Sequence, residues 1–540
     1  MKRGSILIIW MVVMAVFSLP VTSFAESMAP VQPTGSEPVE QLGGIEPAQQ
    51  QQNAQVVQPT STPAALSQQN NPAAQLPKET VTAGKVAQGQ RKVRTVVFPN
   101  QDRYWMERME FAVTSKMPYI QKIVVPGRNG TIRYVAQKAD ANKKLTREWK
   151  TGPLGTVLPA TTVFIDTDQT HMLISYPERY ISRANHTLEY RANQYPIAVK
   201  QTAAGYELTV KFPQEKGSIG EVWTLSSAKP LVDWSKPNLP AIWLLLDLHD
   251  QQKWSWDGFY VKTPATYEPH GPNLYWRIPI NYVAKSFVMT GGSQAADDLG
   301  WVMLSVILTN QNQQGYWETQ PGSSWLRGLY GVQPGFYDTR FNTDMAIVLL
   351  RGYHKYKDVR FWNAANRYAQ FFLEHVEKNH FVLQGPKEGW LVSDYAHLAK
   401  PFKPTHSSLN HQLQETKFLL EMFTETKLPV YEEQAQKLLQ GVKNSTASWI
   451  KENLDLHYAY LPSGQMGMAD YPFLTYDDLW QTQQMLIVLY GQMDSDLATL
   501  MESKKAFMDL TNITGYIQRP LPEPKPVAVK METSEAGGNQ

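Results

Sequence analysis

The hydrophobic period of this chain changes once, near residue 275, and that change constrains the architecture more than any other feature. Before it, short runs rich in β-branched and aromatic residues are separated by Gly, Pro and Asn. Examples are Thr162-Val163-Phe164-Ile165-Asp166, Tyr206 to Phe212 and Glu221 to Leu225. The second run alternates apolar and polar residues, as a half-buried strand does. After it, apolar residues recur at helical spacing: Phe361, Ala365, Tyr368, Phe372 and Val376 keep one face, as do Leu409, Leu413, Leu420 and Phe423. The expected fold is α+β: an antiparallel β domain (sandwich or barrel-like) over 95–274, followed over 275–517 by an (α/α) toroid or partial toroid.

The helices pair up. Short links at Lys357-Asp358-Val359, Leu428-Pro429 and Gln492-Met493-Asp494 join about 340–356 to 360–378, 407–427 to 430–452 and 478–491 to 495–510. Links this short force antiparallel neighbours. The connections between couples, roughly 311–339, 379–406 and 453–477, are long and aromatic. Long connections in a compact domain point to function, so the long-loop end is the expected working face.

The flanks are read as unfolded. Lys2 and Arg3, an apolar run from Ile6 to Leu19 and Ser23-Phe24-Ala25 form a cleavable export leader over 1–25. This implies a secreted or extracytoplasmic, bacterial protein; left uncleaved, the leader would be its membrane anchor. Residues 26–94 are Gln- and Pro-rich and are expected to be a disordered tether, and 518–540 a disordered tail. There is no cysteine, which removes disulfides, thiolate nucleophiles and Cys-zinc sites together. With 51 basic and 49 acidic residues the chain has no nucleic-acid footprint. No cofactor or metal motif is present; Asp166 and Asp168 read as turn residues rather than calcium ligands. Pairing of two chains through the β domain stays open.

What remains is Tyr, Asp, His and Arg on the long connections. Four segments carry them: Gly335 to Asp344; Glu388 to His397 with Lys403 to Asn410; Leu456 to Pro462; and Tyr471 to Gln483. Taken singly, Asp338, Asp344 and Asp477 fit helix caps and first-turn acids, and Ser407 and Ser408 fit caps.

Taken as a set, the segments resemble the C-terminal domain of the D-glucuronyl C5-epimerases, which act on heparosan-type polysaccharides. The resemblance covers about 330–495. Its carriers are Trp390, the Asp394-Tyr395 pair, His406-Ser407-Ser408-Leu409-Asn410, Tyr458 or Tyr460, and Tyr476 with Gln481 to Gln484. The chain departs from the family at Asp394, where a Glu stands. It departs again at Leu461-Pro462-Ser463, where an Arg and a His follow, and at Asp477 and Trp480, where His is found. The resemblance implies proton abstraction and return at carbon 5 of a uronate in a polysaccharide. Tyr395, Tyr476, Tyr458, Tyr460 and Asp394 are the candidate catalytic groups. Trp390, Tyr337, Asp338, Arg340, His397, Lys403, His406 and Trp480 are the candidate substrate contacts. A tyrosine base at neutral pH needs its pKa depressed from about 10; Arg340, His397, Lys403 or His406 could supply the cation. Tyr395 and Tyr476 are the expected facing pair. A polysaccharide lyase or glycoside hydrolase on the same scaffold is the alternative, and a non-catalytic glycan-binding protein is the third reading.

Overall fold

The computed structural model describes residues 75–139, 145–246 and 252–524. The expected leader, most of the expected tether and the tail from 525 lie outside the described residues. Inside them the tether ends early. Strands Lys78–Val86 and Gly89–Val97 form an antiparallel hairpin with Val86 opposite Gly89. The alternation in this Lys- and Arg-rich stretch is carried by valines too sparse to register as a run. Gly89 has φ +148°, and a side chain there would collide with the Glu110 carbonyl, so the hairpin can close on its neighbour only with glycine.

The second strand pairs with Arg103–Phe111, which pairs with the long central strand Ser218–Ser227. These belong to a 13-stranded sheet. A three-stranded sheet, made of Ala198–Thr202, Gly205–Gln214 and Ser115–Val125, shares a core with it. Leu208, Val210 and Phe212 from the small sheet meet Met109, Ile165, Ile174 and Val222 from the large one. This is the expected antiparallel sandwich, and the three runs named above lie within or overlap its strands.

The helices among the described residues are α1 (Asn238–Leu245), α2 (Tyr282–Thr290), α3 (Gln294–Leu308), α4 (Ser324–Tyr330), α5 (Thr339–Tyr356), α6 (Val359–Lys378), α7 (Leu409–Thr426), α8 (Pro429–Asn444), the single turn α9 (Thr446–Trp449), α10 (Leu474–Tyr490) and α11 (Ser495–Leu510). The three expected couples are α5/α6, α7/α8 and α10/α11. A fourth, α2/α3, precedes them, and its short first helix hides it from a window of 11 residues or more. Helices α2, α5, α7 and α10 pack side by side in that order, each backed by its partner. Three of them, α5, α7 and α10, end in the same way. Lys357, Lys427 and Gly491 take left-handed φ of 58°, 60° and 73°, and each N–H bonds the carbonyl four residues back. This cap reverses the chain within the link.

The boundary at 274 separates two periodicities but not two cores. Tyr104, Met106, Trp223 and Leu225 of the sheet and Trp301, Leu304, Met345 and Leu349 of the helices belong to one buried cluster. The C-terminal segment is also ordered beyond 517: the Trp480 indole donates to the Arg519 carbonyl (3.1 Å), and Leu521 packs against the same cluster. Among the described residues no helix is long and apolar enough to cross a membrane.

Candidate functional site

The long connections meet at the N-terminal ends of α5, α7 and α10 because short ladders stitch them together. Tyr337–Asp338 pairs with Tyr395–Ala396, setting Asp338 opposite Tyr395. Ser407–Ser408 pairs with His457–Tyr460, setting Ser408 opposite Ala459 and beside Tyr458. A backbone bond from Thr339 N to Asp394 O (3.0 Å) ties the second connection to the first, and one from Asp394 N to His406 O (2.9 Å) closes the second connection on itself.

Asp394 is the fully buried hub. Its carboxylate accepts from Ser408 N (2.8 Å) and Ser408 Oγ (2.6 Å), and lies 3.3 Å from His406 Nε2 and 3.6 Å from His411 Nδ1. Burial pushes this carboxyl up, but His411, His406 and Ser408 together hold it below the ordinary value. Burial also pushes His411 down to about 4, leaving the imidazole neutral at pH 7. His411 Nδ1 shares a hydrogen bond with Thr339 Oγ1 at 2.8 Å. His406 shares one with the Tyr330 phenol at 2.9 Å through Nδ1.

Aromatic rings surround this hub. Tyr395 and Tyr458 stand edge-on or tilted against His406, with centroids at 5.6 and 5.7 Å, and Tyr471 stands edge-on to Tyr458 at 5.7 Å. Tyr267, from the β domain, stacks on Trp276 at 5.1 Å. Asp338 is the charge these phenols share: it bears on Tyr267, Tyr282, Tyr395, Tyr458 and Tyr471. Asp338 also caps α5, accepting from Phe341 N at 2.9 Å. Its carboxyl is pushed up to about 7, by burial first, against the Phe341 bond and with the Asp394 charge adding to the rise.

Beside these groups Arg340 has four of its five donors engaged. Its guanidinium holds Asp478 with two bonds (2.6 and 3.1 Å), Asp344 at 3.1 Å and the Asn410 carbonyl at 2.9 Å. Of the expected cations Arg340 does lower the Tyr471 phenol, but burial outweighs it. Lys403 is exposed, and His397 sits 3.1 Å from the Pro334 carbonyl. Burial accordingly raises Tyr395 and Tyr458 well above the ordinary value and Tyr471 to about 12. These phenols stay protonated at neutral pH and act as donors. The expected tyrosine base is corrected on this point.

Of the residues singled out from the sequence, Asp338, Asp394, Tyr395, His406 and Tyr458 converge, with Arg340 beside them. The others do not join them. Tyr476 faces the C-terminal segment, edge-on to Tyr516 at 5.3 Å, and its charged neighbours Lys505, Asp477 and Asp509 are not those of Tyr395. Trp480 lies under Arg519, whose guanidinium is 4.7 Å from its ring. Asp477 accepts from Ile517 N (2.8 Å) and so holds the same segment. Trp390 is sandwiched between the His380 ring at 3.8 Å and the Lys437 ammonium at 4.0 Å. Tyr337 is fully buried and shares a hydrogen bond with the Tyr368 phenol at 2.9 Å. Tyr460 packs edge-on to Phe381 at 5.3 Å. Replacing Trp480 by Ala should therefore loosen the segment after 511 and leave KM for any substrate within about twofold. Limited proteolysis and steady-state kinetics check this; a KM rise of about tenfold or more would return Trp480 to the binding surface.

Tyr471 is the residue that sequence reading missed. The expected pair needed a tyrosine opening the last inner helix, and Tyr476 was nearer to it by count. The signal was Asp470-Tyr471-Pro472: proline forces the preceding residue out of helical conformation, so Tyr471 belongs to the connection, while Tyr476 lies in the first turn of α10. Glu415 also escaped notice. It is fully buried on α7 with Thr339 as its hydrogen-bonding neighbour, and burial outweighs that contact and raises its pKa well above the ordinary value. A raised folded-state pKa means that ionisation is penalised once pH passes the unfolded value of about 4.3. Glu415→Gln should therefore raise Tm by about 2 °C or more at pH 8 and change it little at pH 4, read by calorimetry at both pH values. A loss of Tm at pH 8 would contradict the protonated state.

Among the described residues no group of three or more His, Asp or Glu could hold a metal ion. No family model matches the chain, that of the glucuronyl C5-epimerases included, and no curated protein matches it. Among solved structures it is similar to a D-mannose isomerase, with 14% identity, a TM-score of 0.30 and coverage of 42% of this chain and 59% of that one. It is also similar to a family 76 glycoside hydrolase from a bovine Bacteroides thetaiotaomicron strain, with 11% identity, a TM-score of 0.32 and coverage of 80% and 78%. A third is the cellobiose 2-epimerase from Spirochaeta thermophila, with 12% identity, a TM-score of 0.31 and coverage of 42% and 57%. The chain thus spans less than two thirds of the isomerase and of the epimerase. By name all three act on carbohydrates; likeness at this level carries no weight here, and the functional reading stands on the site.

Proposed function

We propose that the protein is an exported carbohydrate-active enzyme that removes and returns a proton at carbon 5 of a uronate in a polysaccharide. One observation supports this reading before others: three phenols from two separate connections, Tyr395 on one and Tyr458 and Tyr471 on the other, meet around buried carboxyls at the N-terminal ends of three helices.

The roles follow from the charge states. Asp338, with a pKa of about 7, is about half ionised at neutral pH, the condition under which a general base works best. It takes the carbon-5 proton, and the electron pair left behind spreads into the sugar carboxylate. The protonated phenols donate hydrogen bonds to that growing charge, helped by the positive ends of α7 and α10. One phenol then delivers its proton to the opposite face of the carbon. Solvent resets Asp338 and the phenol, so each turnover exchanges a proton with water. Asp394, His406 and Ser408 hold Tyr395 and Tyr458 in register.

A second reading, hydrolysis of a glycosidic bond, draws support from the same two carboxyls, since Asp338 is poised as an acid and Asp394 is held ionised. Incubation of the full chain with a uronate polymer in deuterated water separates the two. Deuterium at carbon 5 with chain length unchanged is the expected result. New reducing ends without deuterium would shift the assignment to hydrolysis.

A further inference from the structure

The connection that carries Tyr458 and Tyr471 is held at both stems by one side chain from a backing helix. Lys504, on α11, is fully buried. Its ammonium lies 2.6 Å from Asp455 Oδ1, 2.8 Å from Asp470 Oδ2 and 2.8 Å from the Tyr471 carbonyl. Asp455 opens the connection just before the Tyr458 strand, and Asp470 closes it just before Tyr471. Asp455 has a second cation, Lys451, at 3.1 Å. Asp470 Oδ1 accepts from Thr475 Oγ1 at 2.6 Å, so the same carboxylate is tied to the first turn of α10.

An ammonium has three donors and no acceptor. Here the three directions are used on two carboxylates and one main-chain carbonyl, and these belong to the two stems of a single loop. An apolar residue of the same length would fill the space and leave the stems unjoined. The main-chain bond matters most, because it fixes the backbone of Tyr471 itself. The phenol of Tyr471 meets Tyr458 with centroids 5.7 Å apart, so a shift of its backbone moves the phenol directly.

We infer that Lys504 is a positioning residue that sets the place of the Tyr471 phenol in the reaction site from outside it. The inference rests on the proposed function for its kinetic consequence, while its geometric consequence stands apart from any activity.

The test uses the full chain with 3-fluorotyrosine placed at position 471, and separately at 395 as an internal reference on another connection. Two variants are compared. Lys504→Met removes the charge outright. Lys504→Gln combined with Asp470→Asn keeps the net charge and leaves Asp455 with Lys451, so it remains readable if the first variant does not fold. The expected result is a shifted or broadened fluorine resonance at 471 with the 395 resonance unchanged. The rate of deuterium exchange at carbon 5 should fall about tenfold or more in kcat, with KM within about twofold, as displacement of a reacting group does. A 471 resonance and a kcat equal to those of the parent in the double variant would overturn the inference. Should the parent chain exchange nothing, the proposed function fails; should Tyr471→Phe exchange at the full rate, only the part of Tyr471 in it fails. The fluorine resonances then still decide whether Lys504 places Tyr471.

Discussion

Asp338→Asn should lower the rate of carbon-5 exchange by about 100-fold or more, the usual worth of a positioned general base, without loosening the fold. Asparagine caps helices about as well as aspartate, so the bond from Phe341 N survives and α5 keeps its start. The stability sign follows from the raised pKa. The unfolded carboxyl ionises near 3.9 and the folded one at about 7, so the parent loses stability as pH rises between those values. Asparagine has no such loss. The variant should match or exceed the parent in Tm at pH 8 while its activity is gone. The same group sets the pH profile: exchange by the parent should rise as pH passes through about 7 and Asp338 becomes a base. The residual rate of the variant should be flat there. A variant with near-parental rates would remove Asp338 from the chemistry.

Arg340→Met should cost about 3–5 kcal/mol of stability at pH 7, the scale on which breaking a buried ion pair by removing one partner operates. The substitution leaves Asp344 and Asp478, both almost wholly buried, facing each other without their common cation. It also strips a donor from the Asn410 carbonyl. Asp344 is held below the ordinary carboxyl range against its burial, by Arg340 first and by Lys285 and Lys417 after it. A depressed carboxyl stabilises the fold above its unfolded pKa and loses that contribution as pH falls. The deficit of the variant should therefore shrink toward pH 4, where the carboxyls can protonate. Lysine is no substitute, because one ammonium cannot reproduce a fork that reaches two carboxylates and a carbonyl. Urea unfolding at pH 7 and pH 4 checks this. A deficit under about 1 kcal/mol at pH 7 would mean that the buried ion cluster relaxes freely.

Period and link length made the architecture readable in advance. Phe361 to Val376 could only be one face of a helix, and Leu428-Pro429 could only be a reversal, so the paired helices followed from the sequence. What stayed hidden was tertiary. Trp390 and Trp480 have the residue type of sugar platforms, and nothing local shows that His380, Lys437 and Arg519 already occupy their faces. Arg340 looked like a free cation because its partners Asp478 and Asp344 lie 138 and four positions away. Asp338 was legible as a cap, and it is one; the role proposed for it depends on Asp394 and Tyr395, which only the ladder between 337–338 and 395–396 brings near. The hairpin at 78–97 was missed because its composition resembles a linker, and its pairing with Arg103–Phe111 is what makes it a strand pair.

The measurement that bears most directly on the account is carbon-5 deuterium incorporation into a uronate polymer by the parent chain, with Asp338→Asn and Tyr471→Phe run beside it. The account predicts deuterium at carbon 5 with chain length preserved, and its loss in both variants. No incorporation by the parent at any pH from 5 to 9, or undiminished incorporation by both variants, would contradict it.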